Sequence, residues 1–423
     1  MKKLLLIALF VSAACIDWPS TERLRERRCA TAPNDPQCEF LDAGVDSGVS
    51  DAGLDAGPVD AGPWSVVWRT QVNLEARFLV GDGMGGTLVS RGGAQHSFQA
   101  FTRAGAGVAQ TRPATQVPTA AYEREGRLSV AFSNGRIELW QRNMGSYSSI
   151  ASNDLPFVST AMNLYFNSFA DSGVAVAAYG DWDGGLGLSS FSADPELQGF
   201  PGSFRLNCAP ATVIRPQRLL ATPDGGPGVV VGNLSGSCME VSTPRFLPDI
   251  DAGAFVARFG GPIADGYGFV AEPNSPMTIG VVDNDVRLIF RPRGGQLDVV
   301  AVGSDVGDAG LSRSTPVLVG NLTPIDLVDV GADSVLVGFA SGNLSLPDGG
   351  FPFTTDQQDV FFARLNANFE VVNLHVFVAP GDQTAVGAVW LPPQLVVGGT
   401  CSGVAAGVCQ GTTAGQSWLA AFE

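Results

Sequence analysis

The stretch that decides the fold is Ser334-Val-Leu-Val-Gly-Phe-Ala340, then Asp359-Val-Phe-Phe-Ala-Arg-Leu365, then Glu370-Val-Val-Asn-Leu-His-Val-Phe377. Each run is short, rich in Val and Phe, and bounded by Gly, Pro, Asn or Asp, which are strand signals. A Gly- and Pro-punctuated excursion, Ser341 to Gln358, reads as a long loop between the first two. The first strand is apolar on both faces, with Val335, Val337 and Phe339 on one and Leu336, Gly338 and Ala340 on the other. Such a strand needs cover on both sides, and stacked neighbouring sheets supply it.

Copies of this unit recur along the chain. With the strands named A to D, the first copy has A at Ala76 to Val80, B at Gly86 to Ser90, C at Ser97 to Phe101 and D at Gly107 to Thr111. The B and C strands that follow are Leu128 to Phe132 with Arg136 to Trp140, and Val174 to Ala178 with Leu186 to Phe191. Next come Val229 to Gly232 with Ala254 to Phe259, and Val286 to Phe290 with Leu297 to Val302. The stretch quoted above is the sixth copy, and Leu395 to Gly399 with Ser417 to Phe422 is the seventh. B strands fall roughly 40 to 60 residues apart, a period that reads as propeller blades of four strands. The seventh copy has no D strand after its C strand, while Trp64-Ser-Val-Val-Trp-Arg-Thr-Gln-Val72 belongs to no copy. The expectation is a seven-bladed all-β propeller over residues 64–423, in which 64–72 supplies the outer strand of the last blade.

Asp359-Val-Phe-Phe-Ala-Arg-Leu365 resembles the C strand of a bacterial β-propeller repeat family, in which Asp is followed by an apolar pair, Ala, a basic residue and Leu. Gly253-Ala-Phe-Val-Ala-Arg-Phe259 is similar without the Asp, and Gln416-Ser-Trp-Leu-Ala-Ala-Phe422 keeps the spacing and the small residues. The resemblance implies the fold and carries no catalytic residues with it.

Ahead of the repeats, Lys2 and Lys3 precede an apolar run from Leu4 to Val11, too short to span a bilayer as a helix, and then Ser12-Ala-Ala-Cys15. This is the layout of an export signal covering residues 1–14. It resembles the lipobox of bacterial lipoproteins, which implies acylation of Cys15; Ser12 stands where the pattern has Leu, so ordinary cleavage after Ala14 is the alternative. Of seven cysteines, Cys15 is then the odd one, and six remain to pair in an oxidising compartment. Nearest neighbours give Cys29/Cys38, Cys208/Cys238 and Cys401/Cys409, one of 15 connectivities. Cys29 and Cys38 bracket a small loop. The tract from Asp42-Ala-Gly to Asp60-Ala-Gly-Pro63 has too little apolar surface to offset ordering and reads as an acidic, disordered tether within residues 15–63. It resembles the linkers of bacterial surface lipoproteins, which implies a lipid-anchored place in the cell envelope, at the outer membrane or cell surface.

A net charge of −16 excludes a nucleic-acid partner, which calls for a basic stripe. The chain's two histidines, His96 and His375, fall in or beside strands, and no His/Cys/carboxylate cluster has metal-ligand spacing. Gly180-Asp-Trp-Asp-Gly-Gly185 and Asp283-Asn-Asp285 sit where hairpin turns are required and do not complete a calcium loop. Gly81-Asp-Gly-Met-Gly-Gly86 joins two strands and has no helix to bind phosphate. Nothing announces a nucleophile–base set, and the Ser-x-Asp-x-Gly-x-x-Trp turn of sialidase-type propellers is absent. No metal, cofactor or catalytic residue is expected. The reading is a surface binding module for a protein or glycan, presented on the face carrying Leu234 to Gly253, Ser341 to Gln358 and Gly399 to Gln416. A propeller hydrolase or lyase with a site at the channel mouth is one alternative, and a structural spacer another. Metabolic labelling with a fatty acid should mark the wild-type protein and not the Cys15→Ser variant; soluble release with Cys15 unmodified would overturn the anchor.

Overall fold

The computed structural model describes the strands named below together with residues 64–65, 276–277, 315–377, 381–402 and 416–423. The chain divides between Val59 and Asp60, and all of these residues belong to the unit Asp60–Glu423. The expected signal, Cys15, the Cys29/Cys38 loop, the Asp-Ala-Gly tract and Cys409 lie outside the described residues.

Among the described residues the fold is all-β. After β1 (Val66–Val72), a four-stranded antiparallel meander is formed by β2 (Ala76–Gly81), β3 (Gly85–Gly92), β4 (Gln95–Thr102) and β5 (Gly107–Pro113). The next consists of β6 (Pro118–Arg124), β7 (Arg127–Phe132), β8 (Arg136–Asn143) and β9 (Ser146–Asp154). A third comprises β10 (Leu164–Ser168), β11 (Val174–Gly180), β12 (Leu186–Ser192) and β13 (Ser203–Cys208). The fourth holds β14 (Val213–Leu220), β15 (Gly228–Gly236), β17 (Ile250–Phe259) and β18 (Asp265–Val270), while the short β16 (Cys238–Glu240) leaves it to pair with β13. A seven-stranded sheet follows, with β19 (Thr278–Val282), β20 (Asp285–Phe290), β21 (Gln296–Val302), β22 (Thr315–Asp329), β23 (Ser334–Ser345), β24 (Phe353–Leu365) and β25 (Val371–Phe377). The last sheet has the order β1-β28-β27-β26, where β26 is Gln383–Leu391, β27 is Gln394–Cys401 and β28 is Gln416–Phe422. Every B and C strand read from the sequence is present.

Two features differ from the expectation. The outer strand of the fifth copy and the inner strand of the sixth are one continuous strand, β22, whose start pairs with β21 and whose remainder pairs with β23. Register shifts at Gly320/Asn321 and at Pro324/Asp326 let it bend between the two partners. The supposed loop Ser341 to Gln358 is mostly strand, because β23 runs on to Ser345 and β24 begins at Phe353.

The alternation inferred for Ser334 to Ala340 is the packing rule of the fold. Leu336 and Ala340 enter one core with Phe361, Ala363 and Leu365 of β24, together with Leu297 and Val299 of β21. Val335 and Val337 enter a second core with Phe362 of β24, Leu395 and Val397 of β27, and Trp418 and Phe422 of β28. The opposite face of β27 and β28, through Val396, Leu419 and Ala421, packs on Leu79 of β2 and Phe101 of β4. The last sheet is thus sandwiched between the seven-stranded sheet and the β2–β5 meander, and the β23–β25 part of the seven-stranded sheet lies between its own β20–β21 part and the last sheet. Phe98 of β4 continues the series against Leu128, Val130 and Trp140 of the next meander.

Strand β1 lies outside β28, antiparallel, with Val66 opposite Phe422 and Val72 opposite Ser417. Ser65 and Glu423 extend the ladder with reciprocal backbone hydrogen bonds of 2.9 and 3.1 Å. A bulge between Val66 and Trp68 inserts one residue, which moves the side-chain alternation to the other face. Trp64 therefore packs on the core shared with β24, edge-on to Phe362 at 5.7 Å, while Trp68 packs on the core shared with β2 and β4, 6.4 Å from Phe101. One strand staples two neighbouring sheets.

Inner strands also meet one another: β2 lies beside β6, β6 beside β10, β10 beside β14, β14 beside β19, β19 beside β22, β22 beside β26, and β26 beside β2. Five of them carry the same one-residue register shift, at Ala76/Phe78, Pro118/Ala120, Pro216/Arg218, Pro324/Asp326 and Ala385/Gly387. Proline, which cannot donate to a ladder, is tolerated at such bulges. On the partner strand, Gly338 faces Phe361 and Gly399 faces Trp418. A Cβ at Gly338 would come within 2.8 Å of the Phe361 ring, and one at Gly399 would strike the Trp418 indole, so the aromatic lies flat only over glycine.

Deleting residues 16–63 should leave the melting transition unchanged. Deleting 16–72 removes nine more residues, including two tryptophans and the outer ladder. With Val72 buried and both tryptophans partly buried, against about 1.5–3 kcal/mol for full burial of one large side chain, it should cost on the order of 3 kcal/mol or yield aggregate through the bared edge of β28. Equal melting of both truncations would overturn the stapling role of β1.

Candidate functional site

The β23–β24 hairpin carries the exposed Phe351 near its tip. Asn343-Leu-Ser345 and Phe353-Thr-Thr355 flank Pro347-Asp-Gly-Gly350, a turn dipeptide set between strands. Gly349 donates to the Leu346 carbonyl and Leu346 to the Gly350 carbonyl, both at 2.9 Å, while Gly350 donates to Asp348 Oδ1 at 2.8 Å. Gly349, at φ 84°, supplies the left-handed backbone of the turn. At the base, Leu344 is buried in the core, and Leu346 and Phe353 pack against it. Side-chain bonds tie the arms together: Thr354 Oγ1 to Asn343 Oδ1 at 3.1 Å, and Asn321 Nδ2 to Ser341 Oγ at 2.7 Å. At the tip Phe351 is 50 % exposed and holds φ at 49°, a conformation rare for a bulky residue. A rigid base thus presents an aromatic ring to solvent.

The fourth copy's excursion, Leu234 to Gly253, is also partly strand rather than loop. β15 runs to Gly236, β16 pairs antiparallel with β13 of the preceding meander, and β17 starts at Ile250. The pairing sets Cys208 opposite Cys238. In the sixth copy the excursion makes the same reach backward: Leu344 and Ser345 pair with Gly320 and Val319 of β22, next to β21. Two of the three excursions expected to form a binding face therefore spend backbone on the outer strand of the copy before them. In the third, Cys401 at the end of β27 is buried and disulfide-bonded.

The residues of the Asp359–Leu365 motif have structural work. Asp359, 1 % exposed, accepts 3.0 Å from Gln383 Nε2 at the start of the next sheet, and the same amide reaches the Phe377 carbonyl at 3.1 Å. Arg364 pairs with Asp333 of its own A–B turn at 2.6 Å. Further ties join strands that share no ladder: Ala388 donates to Asp326 Oδ2 at 3.1 Å, Thr278 Oγ1 to the Ile325 carbonyl at 3.1 Å, and Ala76 to the buried Ser417 Oγ at 2.6 Å. Sequence reading found Asp359 and Arg364 as a pattern and missed Gln383 and Ser417, polar residues at strand starts with no local signal of burial.

His96 lies on β4 opposite Arg91 and Arg112. His375, on β25, stacks edge-on with Phe377 at 4.4 Å, and burial lowers its pKa below the ordinary 6.5. Gly81 pairs with Gly86 across β2 and β3, and Val282 with Asp285 across β19 and β20; residues 82–84 and 283–284 between them lie outside the described ones. Residues 181–185 lie outside the described ones. Among the described residues no three of His, Cys, Asp and Glu gather as metal ligands, and no helix is long and apolar enough to cross a membrane.

The His375 shift sets a pH dependence. Above pH 6.5 the imidazole is neutral folded and unfolded; as pH falls through 6.5 the unfolded chain takes the proton first, so stability drops until the folded pKa is passed. Melting of the wild type between pH 7 and pH 5 should fall more steeply than that of His375→Gln, and parallel curves would show that His375 does not contribute.

No protein-family profile matches the chain, and no curated protein sequence is similar to it. Among solved structures it is similar to the β-propeller domain of Myceliophteria thermophila Cps50 (Swd1), at 9 % identity and TM-score 0.48, covering 84 % of this chain and 99 % of that one. It is similar to the WD40 domain of Toxoplasma gondii coronin, at 9 % identity and TM-score 0.48, covering 85 % and 88 %. A third is Chaetomium thermophilum Sqt1 bound to the N-terminus of ribosomal protein L10, at 9 % identity and TM-score 0.45, covering 84 % and 98 %. These likenesses concern the course of the chain alone.

Proposed function

We propose that the chain is an exported, lipid-anchored β-propeller of seven four-stranded blades that acts as a surface binding module for a protein or glycan. The seven-stranded sheet counts as two blades sharing β22, and β1 completes the last blade from outside β28. The succession of neighbouring inner strands, from β2 through β26 and back to β2, supports a closed ring. Export and anchoring rest on the Lys2-to-Cys15 segment, and the acidic tract up to Pro63 would hold the ring away from the membrane.

The observation that carries the binding role is the β23–β24 hairpin, a fixed base with Phe351 exposed at its tip. A large apolar side chain held rigidly in water loses little entropy on docking, which favours aromatic anchors at interfaces. The end of the ring bearing this hairpin is the recognition surface.

A photo-crosslinking residue placed at Phe351 should capture envelope material that the same residue at Asn368, on the turn at the other end of β24, does not. Equal capture at both positions, or at neither, would overturn the assignment of this end.

A further inference from the structure

We propose that Cys208 and Cys238 are joined by a disulfide that latches the fourth meander's excursion onto the third. β16 leaves its own sheet and adds itself as a fifth strand to the sheet before, with Leu206 opposite Glu240, Asn207 opposite Met239, and Cys208 opposite Cys238. Directly opposed residues of an antiparallel pair have Cα atoms about 4.5–5.5 Å apart. Disulfides span about 4.4–6.8 Å, so the bond needs no backbone movement. A slip of one residue would turn the two positions to opposite faces; the register found is the one that permits the link.

The latch also answers a weakness of the strand. β16 has three residues, and a ladder that short frays. The sixth copy's excursion makes a matching reach to the outer strand of the preceding copy with a long hairpin whose Leu344 is buried in the core. Where the reach is made by three residues, cysteines stand opposite each other.

The inference rests on the export reading, since a reducing cytosol would keep both thiols. The step is thiol–disulfide exchange with an oxidised dithiol carrier of the receiving compartment. One thiolate attacks the carrier disulfide, the second displaces the carrier from the mixed disulfide, and the carrier leaves with two electrons and two protons as its dithiol. The product closes the segment 208–238 and fixes β16 over the edge of β13, an edge that would otherwise be open to another chain.

The test uses full-length protein exported once by its own leader and once by an established leader to an oxidising compartment, with thiols blocked at lysis. Peptide mapping should find Cys208 and Cys238 in one cross-linked species. Cys208→Ser, Cys238→Ser and the double variant should melt alike, on the order of 5 °C below the wild type. A link formed with the foreign leader and not with the native one would leave the latch standing and remove the export reading. Free thiols at both positions with both leaders, or Cys208 linked elsewhere, would overturn the latch.

Discussion

The structure depends on strands that are apolar on both faces. In β23, Val335 and Val337 serve one core while Leu336 serves another, and β28 divides Trp418, Ala420 and Phe422 from Leu419 and Ala421 in the same way. A sheet built from such strands cannot stand with one face in water, because burial of apolar area is the dominant favourable term. Each sheet needs two neighbours, and each neighbour needs another. The terminal strands are where that demand is hardest to meet, and there β1 lies outside β28.

The contact between the sixth copy and the last sheet shows how the demand is met. Phe362 lies 4.7 Å from Phe377 and 4.8 Å from Phe422, with Phe377 and Phe422 4.9 Å apart and Trp64 edge-on behind them. Edge-to-face pairs of this kind contribute about 0.5–1.5 kcal/mol each beyond their area. The rings come from β24, β25, β28 and the approach to β1, so residues nearly the whole domain apart in sequence form one cluster. The bulge at Val66/Trp68 then lets the same strand serve the opposite core. A straight strand would have sent both tryptophans to one side.

Much of this was legible in the sequence because the signal was local. Val/Phe runs bounded by turn residues located every B and C strand, and counting strands identified Trp64 to Val72 as the partner of Ser417 to Phe422. What stayed hidden was non-local. Gly and Pro in 341–358 read as a loop, since Leu344 gains its meaning only from a core assembled by other strands. The bulges after Ala76, Pro118, Pro216, Pro324 and Ala385 recur at one place in the repeat, yet in the sequence each looks like a stray small residue or proline. Gln383 was invisible for the same reason: its role is set by Asp359 in the preceding copy.

The excursions separate two jobs that the sequence had merged. Backbone of 238–240 and of 344–345 is committed to the outer strand of the preceding copy, which makes these segments part of the scaffold. Specificity on a rigid scaffold resides in what the committed backbone leaves free. At the sixth copy that remainder is the turn Leu346 to Pro352, and there an exposed Phe351 sits in a backbone conformation its bulk disfavours. Local strain of this sort is kept only where the surroundings hold it, and here they are a buried Leu344 below and a tight Asp348–Gly350 turn beside it. The stiffness that builds the propeller and the stiffness that would hold a ligand anchor in place are therefore the same set of contacts.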